Sequence, residues 1–429
     1  MSRISKMRAG AARPAAIGMF ALSALLPWAL SIAPGLATAA NSLSLEKALE
    51  LAEQSNPRLR AADALVGQSI AGITTARQYP NPDVEIGAGQ LRARVPGALP
   101  GWTQSFGVAQ PIELPEVRYS RQRTAEAGLD ASRHARNEAR ISVFADVRQA
   151  FFEVLRRRAE LELAEDTVKL LQQVRNRVEV RVRVGEAPRF ELLRADSETL
   201  VAASAADRAR LRLEQANADL RQTVGAPLPS QFTVDHASMA STEAPELAAI
   251  REQMLARHPG LAQARAAVEQ ARHRIANERA LRVPQPLVRA GIEQDPELRQ
   301  WRIGVAIPAP LWNRREGQIG EAIAALTLAE QALQQRRNEL EAFLESTYAR
   351  HRMASRQTNA LQTVVSQAEI ALQVAEAAYR FGERGILEVI DAQRTLRSVR
   401  LELLNARFDL QSAWIDLERI RATDLGVMK

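Results

Sequence analysis

The sequence predicts a mostly α-helical chain of two equivalent halves, each interrupted by one short β-hairpin suited to a membrane. Three observations point there. Motifs of the first half return in the second in the same order, the later ones at a constant spacing of 197 residues. Each half holds a stretch of roughly 65 residues without proline, with apolar residues recurring at three and four, the period of an amphipathic helix. Each half also holds two runs of about ten residues in which apolar and polar side chains alternate, the period of a strand.

The elements follow in order. Arg3, Lys6, Arg8 and Arg13 lead into an apolar run from about Ala15 to Ile32, and Ala37-Thr38-Ala39 offers the small-residue cleavage pattern of a secretory signal. Residues 1–39 are therefore expected to be a signal peptide, with the mature chain starting near Ala40. Pro27 and Pro34 interrupt or flank the run, which disfavours a spanning anchor. The four basic residues of this leader supply most of the formal net charge of +7. No later stretch approaches the roughly 18 uninterrupted apolar residues of a membrane helix. Any crossing of a bilayer must then be made by strands.

The duplication divides the rest into a first repeat, 40–235, and a second, 236–429. Asn56-Pro57-Arg58-Leu59 matches His258-Pro259-Gly260-Leu261, and Pro80-Asn81-Pro82-Asp83-Val84 matches Pro284-Gln285-Pro286-Leu287-Val288. Gly107-Val108-Ala109-Gln110-Pro111 returns as Gly304-Val305-Ala306-Ile307-Pro308, and Arg183-Val184-Gly185-Glu186 as Arg380-Phe381-Gly382-Glu383. The last two pairs share one offset, 197, so a rigid length is kept between them in both copies.

Long helices are expected over Val117–Arg183 and from about Arg314 to Arg380; ~65 residues at 1.5 Å each make rods of roughly 100 Å, longer than any globular core. Gly185 and Gly382 stand where a helix ends in the left-handed conformation. Returning helices are expected from Arg189 to about Gln222 and from Ile386 to about Arg421, and shorter ones over Pro57–Arg77 and Pro259–Arg279. Gly225–Glu246, rich in Pro, Ser and Thr, reads as a linker.

Strands are expected at about 82–92 and 101–111 in the first repeat and at about 284–293 and 299–308 in the second. Ile303, Val305 and Ile307 alternate with Arg302, Gly304 and Ala306, which assigns the first set to lipid and Arg302 to a lumen. A Trp near the end of such a strand is typical of a membrane interface. Four strands cannot close a barrel, because the smallest membrane barrels have eight. If these strands cross a bilayer, several chains must share one barrel; the alternative is a pair of soluble hairpins packed on the helices.

Composition closes other classes. With no cysteine, the chain has no residue for a disulfide, a thiolate zinc site, a cysteine nucleophile or cysteine lipidation. Arg and Glu are interleaved rather than gathered into a basic patch, so no nucleic-acid footprint is expected. His134, His236, His258, His273 and His351 are scattered singly, without a metal-ligand or catalytic spacing. No catalytic residues, metal ligands or cofactors are assigned.

The signal sequence, duplicated halves, proline-flanked strands and R-x-G-E turns together resemble the TolC family of outer-membrane efflux ducts, over essentially the whole mature chain. The most specific match is Tyr379-Arg380-Phe381-Gly382-Glu383-Arg384-Gly385-Ile386-Leu387-Glu388-Val389-Ile390-Asp391-Ala392, which looks like the family's pore-end turn. Gln110-Pro111-Ile112-Glu113-Leu114 and Ile307-Pro308-Ala309-Pro310-Leu311-Trp312-Asn313-Arg314 resemble the CzcC-like subgroup paired with heavy-metal-cation pumps. After Leu114 that subgroup usually has Gly-Gly-Lys, whereas this chain has Pro115-Glu116-Val117.

The resemblance implies a homotrimer with a twelve-stranded β-barrel in outer-membrane lipid and a long α-helical barrel across the periplasm. It implies work with a periplasmic membrane-fusion adaptor and an inner-membrane resistance-nodulation-division pump. Tyr379 and Arg384 would hold the pore end closed, with Glu191 accepting from Arg384, and Glu388 and Asp391 would form an acidic ring. Gly185, Glu186, Gly382 and Glu383 would dock the adaptor. Cargo stays open between heavy-metal cations and drugs or secreted proteins. A periplasmic coiled-coil adaptor is the alternative from another class, and should carry β-rich modules and one hairpin rather than two equal copies. A soluble rod would account for the helices alone.

Overall fold

The computed structural model describes residues 42–92, 96–97, 99–229, 232–235 and 243–422. The expected signal peptide lies outside these residues, and so does the stretch just after the 235/236 junction between repeats. The order is β1 (Ser42–Leu43), α1 (Leu45–Ser55), α2 (Pro57–Arg77), β2 (Asp83–Leu91), β3 (Gly101–Pro111), α3 (Pro115–Arg183) and α4 (Arg189–Val224). The second half follows as β4 (Thr233–Val234), α5 (Leu247–Arg257), α6 (Pro259–Ala280), β5 (Leu287–Gln294), β6 (Arg299–Ala306), α7 (Glu316–Arg380) and α8 (Ile386–Arg421).

The two rods, α3 and α7, are 69 and 65 residues long. Each ends in the same way. Gly185 and Gly382 have φ of 81° and 76°. The Glu186 N–H donates to Arg181 O at 2.8 Å and the Gly185 N–H to Val182 O at 3.2 Å. Glu383 and Gly382 donate to Ala378 O and Tyr379 O at 3.0 and 3.2 Å. These pairs satisfy carbonyls that a helix end leaves open, and they need a residue at positive φ, which glycine adopts without strain.

The returning helix α4 is held by a seam of small residues. Ala195, Ala202, Ala209 and Ala216 are buried seven residues apart, with Ala206 between them and Leu220 beyond. Such a heptad seam lets α4 lie close along α3. Three buried clusters space the helices. One joins α1, the middle of α3 and the end of α4 around Phe151 and Leu220; a second joins α5, α7 and α8 around Met254 and Leu344. The third, Val174, Val178, Ile386, Val389 and Ile390, ties the turn ends of the two hairpins together. Each fully buried Leu, Ile or Phe contributes on the order of 1.5–3 kcal/mol.

Two helices and a strand pair go beyond the sequence reading. Helix α1 has buried Ala48, Leu49 and Ala52 at helical spacing, and Ser44 caps it by accepting the Lys47 N–H at 3.2 Å. Helix α5 repeats the arrangement with Ile250 and Met254. Strands β1 and β4 pair in parallel. Both helix breaks are chemical: Asn56 and His258 accept the N–H of Arg58 and Gly260 at 2.9 and 3.1 Å, and each precedes a proline at the first helical position.

His258 makes this equivalence testable. It is 4% exposed, and burial together with the neighbouring Arg336 and Arg419 pushes its pKa down to about 4. Glu138 and Glu339 line the same cavity. An unfolded chain takes up a proton near pH 6.5 that the folded one refuses until about pH 4. The stability from neutral His258 is therefore complete above pH 6.5 and falls away as pH drops toward 4, by about 3 kcal/mol in all. His258→Asn, which installs the cap of the first repeat, is expected to flatten the fall in thermal midpoint between pH 7 and 4. An unchanged slope would remove His258 as its source.

Candidate functional site

The four long strands form one antiparallel sheet in the order β2-β3-β5-β6, so β3 and β5 join the repeats while β2 and β6 keep open edges. Register sorts the side chains. Val84, Val108, Ala290 and Ile303 stand in one cross-strand row, and Ile86, Phe106, Ile292 and Trp301 in the next. A third row holds Gln110, Val288 and Val305. Side chains opposite one another share a face, so all of these lie on one side, as the alternation requires. The other side carries Glu85, Thr103, Ser105, Arg289, Glu293 and Arg302, interleaved with Gly87, Gly107, Gly291 and Gly304. Arg302 approaches Glu293 there at 3.7 Å. The apolar side stands exposed at Ile86, Trp301, Ile303 and Val305.

The opposite end is built from the turns. A groove of about 570 Å³ lies between the ends of α3 and α7, lined by Val174, Arg181, Glu186, Tyr379, Phe381 and Gly382 among others. It brings Glu186 and Gly382, from different repeats, to one wall. No added side chain at Gly185 or Gly382 would meet another atom, so their positive φ alone sets the need for glycine.

The expected gate residues converge on this end with different partners. Arg181 lies over the Tyr379 ring, 4.9 Å from its centre. The Tyr379 hydroxyl is the foremost cause that raises the Arg181 pKa, with Glu191 and Glu186 adding to it. Geometrically that hydroxyl makes no hydrogen bond, so the contact is electrostatic and stacking in character. Glu191 does not receive Arg384 within the chain. Arg384 instead donates to Glu388, one turn on, at 2.7 Å. Arg384 lies in the turn just before α8 and Glu388 in its first turn, so the pair forms without any contact between helices. One Glu191 oxygen, Oε2, is left buried without a hydrogen bond.

The acidic pair is compensated as well. Asp391 lies 3.7 Å from Arg394, which also bonds Glu198 of α4. Glu388 and Asp391 are thus each matched by an arginine of α8 or its preceding turn, rather than crowded as bare carboxylates. Arg181, Arg394 and Glu198 are partners that sequence reasoning missed; the E-x-x-D-x-x-R spacing of Glu388, Asp391 and Arg394 aside, nothing local marks them. Among the described residues no three His, Asp or Glu side chains gather as metal ligands.

The family model described as "Outer membrane efflux protein" matches residues 48–226 and 250–423. The chain is 29% identical over 393 residues to the cobalt-zinc-cadmium resistance protein CzcC of Cupriavidus metallidurans, covering 89% of this chain and 90% of that one. It is 27% identical to the pyoverdine export outer membrane protein OpmQ of Pseudomonas putida, covering 83% and 80%. The solved structure of CusC superimposes with a TM-score of 0.77 at 20% identity, covering 92% of this chain and 96% of that one. Because the family match takes in both helical halves and the hairpins between them, and a solved channel shares the whole fold, the chain belongs to the outer membrane efflux protein family, TolC-like channels that sit in the outer membrane and extend into the periplasm.

Proposed function

We propose that three copies of this chain form a duct that exports heavy-metal cations, fed by a resistance-nodulation-division pump through a periplasmic adaptor. The open sheet edges carry the reading. Backbone groups on β2 and β6 cannot stay unpaired in lipid, and three copies of four strands make a closed barrel of the size the family uses. The flanking helices support the same closure. Within the chain α7 packs on α5, α6 and α8, while α2 and α4 pack on α1 and α3. Leu328, Met353 and Ile370 of α7 and Leu65, Phe190 and Leu200 of α2 and α4 are exposed, as apolar flanks awaiting a neighbouring copy.

The metal reading rests on kinship with CzcC and on the subgroup motifs at Gln110–Leu114 and Ile307–Arg314. The likeness to the pyoverdine export protein OpmQ supports a second reading, export of pyoverdine or a similar compound. Adaptor docking belongs at Gly185, Glu186, Gly382 and Glu383, because the turns lie roughly 100 Å along the rods from the strands. Deleting the gene in its host is expected to lower tolerance to zinc, cobalt or cadmium. The parent gene should restore tolerance, whereas Gly185→Val with Gly382→Val should not, although its trimers still assemble. Unchanged metal tolerance with lost pyoverdine export would favour the second reading.

A further inference from the structure

We propose that the segment between β6 and α7 is a membrane anchor, in which Leu311 and Trp312 enter the periplasmic-side leaflet of phospholipid and Arg314 meets its anionic headgroups. The exposed patch rests on the outer-membrane placement, and it adds an attachment point below the barrel.

The first observation is Trp312 itself. It is 92% exposed, and Leu311 and Ile307 beside it are 64% and 65% exposed. A Trp carries on the order of 150–250 Å² of mostly apolar surface, so leaving it in water is costly. Its display is braced rather than loose. Pro308 and Pro310 restrict the backbone before it, and the Leu311 N–H donates to Ala309 O at 2.9 Å. After it, the Asn313 side chain accepts the Arg315 N–H at 3.0 Å, and Arg315 stands at φ 59° with its guanidinium tied to the mostly buried Glu278. A non-glycine residue at positive φ is strained, and here the strain holds a turn that points an aromatic residue outward.

The second observation is a shortfall in height. On the apolar face of β6 the band runs from Trp301 to Ile307, because Arg299 stands in the next row outward with Gln294, Gln104 and Ala88, while on β3 Trp102 lies one row beyond. Six residues of strand at ~3.3 Å, tilted by roughly 40°, rise only about 15 Å. The apolar belt of an outer-membrane barrel is about 25 Å tall. Trp102 of β3 extends the band at the outer end, and at the other end Leu311, Trp312, Ile112 and Val283 are exposed at the strand-to-helix junctions and extend it there. Trp301 and Trp102 then mark one interface and Trp312 the other, as aromatic residues do at both surfaces of a membrane.

The third observation is charge. Arg314 is exposed and has no ion pair among the described residues, so a guanidinium stands free two residues beyond the indole, suited to a phosphate headgroup. At the same offset the first repeat has Pro115 in place of Trp312, which gives one such anchor per chain.

Because the chain has no cysteine, Leu311→Cys creates a single spin-labelling site beside an intact Trp312. Purified trimers carrying the label are placed in vesicles of phosphatidylethanolamine and phosphatidylglycerol, and its relaxation is measured with oxygen and with a water-soluble nickel chelate. Greater accessibility to oxygen than to nickel is expected, reversing for a control label at Glu186→Cys, and the 311 preference should shrink in Trp312→Ala or Arg314→Glu trimers. Preferential access by nickel would place the segment in water. Low access by both would mean that a second copy covers it. Either result overturns the anchor while leaving the trimer itself, scored by heat resistance on a gel, unaffected.

Discussion

Val305→Arg is expected to leave no heat-resistant trimer in the outer-membrane fraction. Val305 lies on the apolar side of β6, opposite Val288, and midway between Trp301 and the junction. An arginine there meets hydrocarbon near the membrane centre at a cost of ~2–4 kcal/mol in each copy. Three copies pay it together, on a strand whose outer edge must also pair with a neighbour. Arg302→Ala should assemble normally, because Arg302 stands on the polar side near Glu293 at 3.7 Å and is open to water. A trimer that tolerates Val305→Arg but not Arg302→Ala would invert the faces and with them the membrane reading.

The second large effect is expected at the turn end. If Tyr379 and Arg384 restrain the pore, Tyr379→Phe with Arg384→Ala should raise the resting conductance of trimers in a planar bilayer severalfold. The pairing seen in the chain adds a second readout. Arg384 neutralises Glu388, an exposed, solvent-screened pair that contributes little to stability. Its removal costs little in folding yet uncovers a carboxylate. Cation selectivity should therefore rise together with conductance, and adding Glu388→Gln should return selectivity without closing the pore. Arg394→Ala should act in the same direction, because it frees Asp391 and cuts the tie to Glu198 of α4. Parental conductance and selectivity in all of these variants would place the gate elsewhere.

Much of the architecture was legible because it is local. The helix turns follow from Gly185 and Gly382 and the six residues around each, and the breaks before α2 and α6 from a capping side chain followed by proline. The short helices α1 and α5 were missed although they carry the same kind of signal. Each spans 11 residues and is marginal alone; packing on α3 and on α7 and α8 decides that it forms. The pairing of β1 with β4 is invisible in two residues of strand and depends on the linker passing the first helix.

The sequence by itself determined the duplicated halves, the rod lengths, the turn glycines and the two faces of the strands, since period and capping are set by residues within a few positions of one another. Only the tertiary structure decided that β3 and β5 join the repeats, that Arg181 lies over Tyr379, and that Arg394 reaches Glu198 of α4. An arginine reaches several carboxylates from any one position on a helix, and a single residue of slip turns the helix by about 100°. Which partner it meets across a helix interface is settled by the helices that pack beside it, and those contacts join residues nearly two hundred positions apart.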